Sequence, residues 1–210
     1  MDTTQLYYLQ AMGIQAWQAQ PNRQQDCAWQ NLQNSVRACT ACGLDKTRTQ
    51  TVFGVGSRSA SLMIIGEAPG FYEDQKGEPF VGRAGQLLDA MLQAIGLTRD
   101  SVYIANILKC RPPENRDPSA LEVSLCTPFL EKQIAHLQPK LLLAVGRIAA
   151  HYLLNTKTSL GQLRGKLHEF HKTPLLVTYH PAYLLRNPKD KAKAFEDLQL
   201  TRRTLEHTTV

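Results

Sequence analysis

The chain has 210 residues, 43% hydrophobic and 20% charged, which suits one soluble domain, alone or with an arm, and excludes wholesale disorder, collagen and a coiled-coil rod. Twenty-four Lys and Arg against 18 Asp and Glu leave a net charge of +6, which favours a polyanionic partner without naming one. Apolar runs such as Leu141 to Val145 stop far short of the ~20 residues of a membrane span, and no basic-then-apolar leader pattern opens the chain, so a cytoplasmic protein is expected; a monomer is the separate expectation for its assembly.

The first segment stands apart in composition, with nine Gln in 33 positions and both Trp, Trp17 and Trp29. Leu6, Leu9 and Met12, then Trp29, Leu32 and Val36, recur at helical spacing, which predicts two short helices around Pro21 and an arm over residues 1–35. The main domain then runs from 36 to 210. Leu62 to Ile65 reads as a strand ending at Gly66, and Leu87, Leu88, Met91, Leu92 and Ile95 share the face of a helix that stops at Gly96. Val102 to Leu108 is the second strand, 119–136 the second helix and Leu141 to Val145 the third strand, after which Gly146 opens a short helix. Leu175 to Tyr179 is the fourth strand and 190–205 a basic final helix. This alternation predicts an α/β fold: a three-layer α/β/α sandwich around a four-stranded parallel sheet.

Ligands of such sheets bind beyond the carboxyl ends of the strands. Gly66-Glu67-Ala68-Pro69-Gly70 follows the first strand, Asn106 lies late in the second and His180-Pro181 follows the fourth. Each alone is an ordinary turn feature, but their shared placement suggests one crevice. The rival signatures fail: there is no Walker A pattern, Gly54-Val55-Gly56 lacks a third glycine, and His168-Glu169-Phe170-His171 misses the zincin spacing.

Five cysteines in a reducing compartment point to metal or cluster ligation before disulfides. Cys39-x2-Cys42 is followed by Cys110 after 67 residues and Cys126 after 15 more, which leaves Cys27 as the spare. A zinc ribbon packs both pairs locally, whereas here the second half is split across the domain. That split favours an iron–sulfur cluster, with zinc the alternative.

Gly66 to Gly70, Glu73-Asp74 with Gly77 to Gly85, Asn106 to Arg116 and His180 to Arg186 together resemble the family 4 uracil-DNA glycosylases over residues 36 to 205, and the four cysteines match that family's cluster pattern. The resemblance implies a uracil-DNA glycosylase-like fold, hydrolysis of the bond between uracil and deoxyribose in single- or double-stranded DNA, and a 4Fe-4S cluster on Cys39, Cys42, Cys110 and Cys126. It also implies roles: Phe80 as the stacking floor, Asn106 pairing with uracil O4 and N3, His180 as donor to O2, and the backbone of Ala68, Pro69 and Gly70 around the base. Glu73 would crowd the C5 edge against a thymine methyl. Where many relatives carry an Asp to orient water this chain has Ala68, so Glu67, ahead of Asp74, is the expected water-orienting carboxylate. Arg164, Lys166 and Arg186 are expected phosphate grips and Leu184 and Leu185 wedges into the base stack. The stretch from Leu9 to Trp17 resembles the start of the psi subunit of DNA polymerase III. That likeness implies docking of residues 1–20 on the replicative clamp loader, with packing on the main domain the alternative. The rival readings are a non-catalytic DNA-binding or replisome-tethered module and a ferredoxin-like electron carrier.

Overall fold

The computed structural model describes residues 3–15 and 23–207. Helices α1 (Thr3–Ala11) and α2 (Arg23–Arg37) precede a long loop and strand β1 (Val55–Gly56). There follow β2 (Leu62–Gly66), α3 (Phe71–Lys76), α4 (Arg83–Gln93), β3 (Tyr103–Asn106), α5 (Ala120–Leu137), β4 (Leu141–Val145), α6 (Arg147–Leu153) and α7 (Leu160–Leu163). The chain ends with β5 (His168–Phe170), β6 (Thr173–Thr178), α8 (Pro181–Arg186) and α9 (Lys191–His207).

The sheet runs in the order β1-β3-β2-β4-β6-β5. Its four central strands are parallel and are the four expected ones. The two edges, β1 and β5, pair antiparallel and were not expected. One is two residues long, and the other, His168-Glu169-Phe170, has none of the apolar continuity of a central strand. Val102, Ile107 and Leu108, read as strand, lie outside β3. The chain nevertheless stays extended past Asn106, because the Ile107 and Leu108 N–H groups donate to the Gly66 and Glu67 carbonyls at 3.0 Å.

Alternating side chains serve opposite faces of the sheet. Met63 and Ile65 join Leu130 and Ile134 of α5 and Ala149 and Leu153 of α6 in one core. Leu62 and Ile64 join Leu88 and Leu92 of α4 and Leu198 of α9 in the other. Helix α2 belongs to the first core. Trp29 is 8% exposed and meets Phe53, Tyr103 and His136 edge to face at 5.1, 5.7 and 5.9 Å, and Leu32 and Val36 are buried beside it. The boundary expected at residue 35 therefore falls within a helix that packs on α5. Residues 16–22, including Trp17 and Pro21, lie outside the described residues.

The strand order decides where a crevice opens. The connection after β2 leads to β3 on one side, and the connection after β4 leads to β6 on the other, so the chain diverges between the carboxyl ends of β2 and β4.

Candidate active site

A cleft of about 730 Å³ opens at that divergence, lined by Glu67, Ala68 and Gly70 after β2, Asn106 at the end of β3, Gly146 and Arg147 after β4, and His180 after β6. Phe80 reaches it from the loop between α3 and α4. The structure thus brings Phe80, Asn106 and His180 together. The Phe80 and His180 rings lie 5.6 Å apart at 31°. Gly66 shows how tightly the other pair sits: a Cβ there would run into Asn106 Oδ1 and stand 2.7 Å from Phe80 Cζ. Gly146, at φ +97°, gives His180 the same room, since a Cβ would stand 2.9 Å from that of His180.

Phe80 itself is held at φ +54°, a backbone region that a bulky residue enters only when its surroundings impose it. Its carbonyl packs so closely on Gly85 that no side chain fits there. Glu73 supplies the other constraint: its carboxylate accepts the N–H groups of Gly70 (3.1 Å), Val81 (2.9 Å) and Gly82 (3.2 Å), fastening the Phe80 loop to α3. Expected at the C5 edge of the base, Glu73 lines the cleft with its carboxylate already engaged by backbone.

Asn106 is 2% exposed, and its Oδ1 has no hydrogen-bond partner in the protein. Leaving a buried acceptor unpaired costs about 1–3 kcal/mol, so its arrangement suits a donor that arrives from the cleft. The peptide carbonyl of Asn106 is fixed from behind by the buried Lys109, whose Nζ donates to it at 2.7 Å and to Gln133 Oε1 at 2.6 Å. His180 Nδ1 accepts the Ala182 N–H at 3.1 Å, which assigns the proton of the neutral ring to Nε2 and makes that atom a donor. Burial above all, then Arg186, pushes the His180 pKa down to about 4, against a smaller opposing pull from Glu73. The ring is therefore neutral at physiological pH.

Burial and then the Asp117 carboxylate push the Glu67 pKa up to about 7, with Arg147 pulling it partly back. Asp74, the other carboxylate considered, is 1% exposed, and its two oxygens accept the Thr49 N–H at 2.9 and 3.0 Å, away from the cleft lining.

The DNA-facing residues divide. Lys166 and Arg186 are exposed, and Arg186 borders the cleft. Arg164 does not present a phosphate grip: it pairs with Asp197 and Glu196, donates to the Lys193 carbonyl and lies 5.7 Å from the ring centroid of Tyr179, bracing a cleft wall from behind. Of the two wedges, Leu185 is exposed, whereas Leu184 is 1% exposed in the core beneath α8, where no base stack can meet it. The sequence reading missed Arg147 altogether. From sequence Gly146 reads only as a helix start, although it follows a parallel strand and the carboxyl-end rule that flags the other segments applies to it as well.

Cys39, Cys42, Cys110 and Cys126 line a second, narrow cavity walled by Val36, Leu125 and Phe129. Arg48 Nη1 donates to Cys110 Sγ at 2.8 Å and the Lys109 N–H to Cys126 Sγ at 3.3 Å. Burial above all pushes the Cys110 and Cys126 thiols up, the latter to about 11, while Arg48 beside Cys110 and Lys109 beside Cys126 pull the other way. Among the described residues no three His, Cys, Asp or Glu side chains form a group able to hold a metal ion. Cys27 is exposed on α2.

Comparison with known proteins matches this architecture to a family. A family model, Uracil DNA glycosylase superfamily, matches residues 53–199. The type-4 uracil-DNA glycosylase of Archaeoglobus fulgidus is 42% identical over 76% of this chain and 84% of its own length. Those of Saccharolobus solfataricus and Thermotoga maritima are 41% and 39% identical, over 83% and 78% of this chain and 85% and 88% of their own lengths. With a switch-point cleft of this composition and likeness of this extent, the chain belongs to the uracil-DNA glycosylase superfamily, among its type-4 members.

Proposed function

We propose that the chain's DNA-repair activity, the excision of uracil from DNA to leave an abasic site, is carried out in the cleft by Phe80, Asn106, His180 and Glu67. A base inside a duplex is out of reach, so the nucleotide is extruded at a cost of a few kcal/mol, less from a single strand. Phe80 stacks on the extruded ring. The observation that carries the reading is the unpaired Asn106 Oδ1. Uracil offers an N3–H to that acceptor, whereas cytosine presents a bare N3 lone pair, so the same atom that binds one base repels the other. As the glycosidic bond breaks, negative charge grows on the departing base and positive charge on the sugar. The neutral His180 donates its Nε2–H to O2 and stabilises the leaving anion without itself giving up a proton. Glu67, ionised above about pH 7, orients the attacking water and favours the cationic sugar. Ala68 and Gly70 supply the backbone around base and water. Lys166 and Arg186 hold phosphates and Leu185 fills the vacated stack.

Cys39, Cys42, Cys110 and Cys126 hold a 4Fe-4S cluster in this reading. Supporting it are their common cavity and the two N–H donors aimed at sulfur, a pattern that suits thiolates around a body wider than one ion. When bound, such a group would supply a cross-link between the loop after α2, the loop after β3 and α5. The enzyme acts as a monomer on nucleoid DNA in the cytoplasm; no helix among the described residues is long and apolar enough to cross a membrane. Residues 1–20 dock on the clamp loader, a reading supported by the exposure of Tyr7, Tyr8, Met12 and Ile14. Co-precipitation with clamp-loader subunits, with and without that segment, tests it.

Incubating the protein with uracil-containing and matched thymine-containing oligonucleotides, then cleaving abasic sites with alkali, tests the main reading. Strand breaks confined to the uracil position are expected. Equal recovery of both oligonucleotides would leave a DNA-binding module without chemistry.

A further inference from the structure

Phe71 and Tyr72, at the start of α3, are 50% and 62% exposed. Their rings meet edge to face at 5.5 Å, and the Arg111 guanidinium stands 5.1 Å from the Phe71 ring centroid. Arg111 is held there by donating from Nε to Asn115 Oδ1 at 2.7 Å. Scattered exposed aromatics need no explanation, but this cluster is not scattered. Gly70 on one side of the pair, Glu73 on the other and Asn115 behind Arg111 all line the uracil cleft. Tyr72 rests against Gly82, where a Cβ would stand 3.4 Å from the ring, and the next residue, Arg83, is exposed. The aromatic surface is therefore continuous with the cleft rim and flanked by two cations.

We propose that Phe71, Tyr72 and Arg111 form a stacking platform for the unpaired bases beside the extruded uracil, which makes single-stranded DNA the preferred substrate. The proposal rests on the uracil-excision reading for the identity of the neighbouring strand. Its physical basis is general: every base has a face that stacks on an aromatic ring regardless of sequence, and a nearby guanidinium adds charge complementarity to the backbone. In a duplex those faces are already covered by neighbouring base pairs, so a rim platform rewards only a strand that is open on both sides of the lesion.

The test uses the full chain and a Phe71→Ala/Tyr72→Ala double variant, on uracil oligonucleotides in single-stranded and duplex form. The variant is expected to raise KM for the single strand about tenfold, in line with the loss of one stacked base, with kcat and the duplex KM unchanged. A thymine oligonucleotide carrying 2-aminopurine next to the target position supplies a readout independent of cleavage. Its fluorescence is quenched on binding the wild type, stays unquenched with the double variant, and is quenched again with Phe71→Trp/Tyr72→Trp. Unchanged KM and unchanged quenching in the alanine variant would overturn the platform. Quenching by a wild type that excises no uracil would sink the glycosylase reading and leave the platform standing.

Discussion

Asn106 ends β3 inside the cleft, and Cys110, four residues later, faces the cysteine cavity. The cleft is assembled from the ends of adjacent strands, with Glu73 pinning the Phe80 loop through the Val81 and Gly82 N–H groups and with Gly66 and Gly146 permitting close approach. The cavity is assembled from the loop after α2, the loop after β3 and the middle of α5, which meet through side chains and two N–H donors to sulfur. Geometry in the first region is a property of the sheet, while in the second it depends on the docking of three separate segments. Damage at the cleft is therefore expected to remove chemistry with the fold intact. Damage at the cavity is expected to loosen the fold with the chemistry largely intact.

The sharpest way to break that contrast is His180→Ala. Loss of the Nε2–H donor is expected to lower single-turnover excision about 10²- to 10³-fold, while binding of a thymine oligonucleotide and the melting temperature stay close to wild type. A collapse of the melting temperature would show that the cleft carries the fold as well. Lys109→Met tests the segment that both regions share. It strands Gln133 Oε1 and the Asn106 carbonyl in the interior, and a loss of about 2–4 kcal/mol in urea unfolding is expected.

The pH dependence sharpens the cleft side alone. Because Glu67 titrates near 7 and His180 near 4, kcat/KM is expected to rise about tenfold per pH unit up to about 7 and then level off, and Glu67→Gln should flatten the rise. The stability effect has the opposite sign. A folded pKa raised above the ordinary carboxylate value of 4.5 favours the protonated form, so this contribution is fully present below pH 4.5 and is lost as the pH climbs through about 7. Glu67→Gln should then melt at a higher temperature than wild type at pH 8, in a thermal scan, while excising uracil more slowly. The smallest effect on catalysis is expected from Cys42→Ala. The visible absorption of the proposed cluster is expected to disappear and the melting temperature to fall, while excision by the folded fraction stays within about threefold. A loss as large as that of His180→Ala would merge the two regions into one functional unit.

Neighbouring residues illustrate how far the sequence could be read. Leu184 and Leu185 looked equivalent as wedges, but α8 packs on α4 and turns only the first of them into the core. Arg164 and Lys166 looked equivalent as phosphate grips, but a carboxylate 33 residues away, Asp197, takes up Arg164. The edge strands escaped because two residues, or a polar triplet, carry too little hydrophobic periodicity to register.

The succession of apolar runs and helical faces, the residue types at three strand ends and the four-cysteine spacing are local properties of the chain, and they sufficed for the α/β class and for the family. The order β1-β3-β2-β4-β6-β5, the opening of the cleft between β2 and β4, the inclusion of Arg147 in its wall and the engagement of Glu73 and Arg164 were decided only by tertiary structure. Strand order and side-chain partnership arise from contacts between residues far apart in sequence. A chain read residue by residue shows which groups are available, and packing alone determines which of them meet.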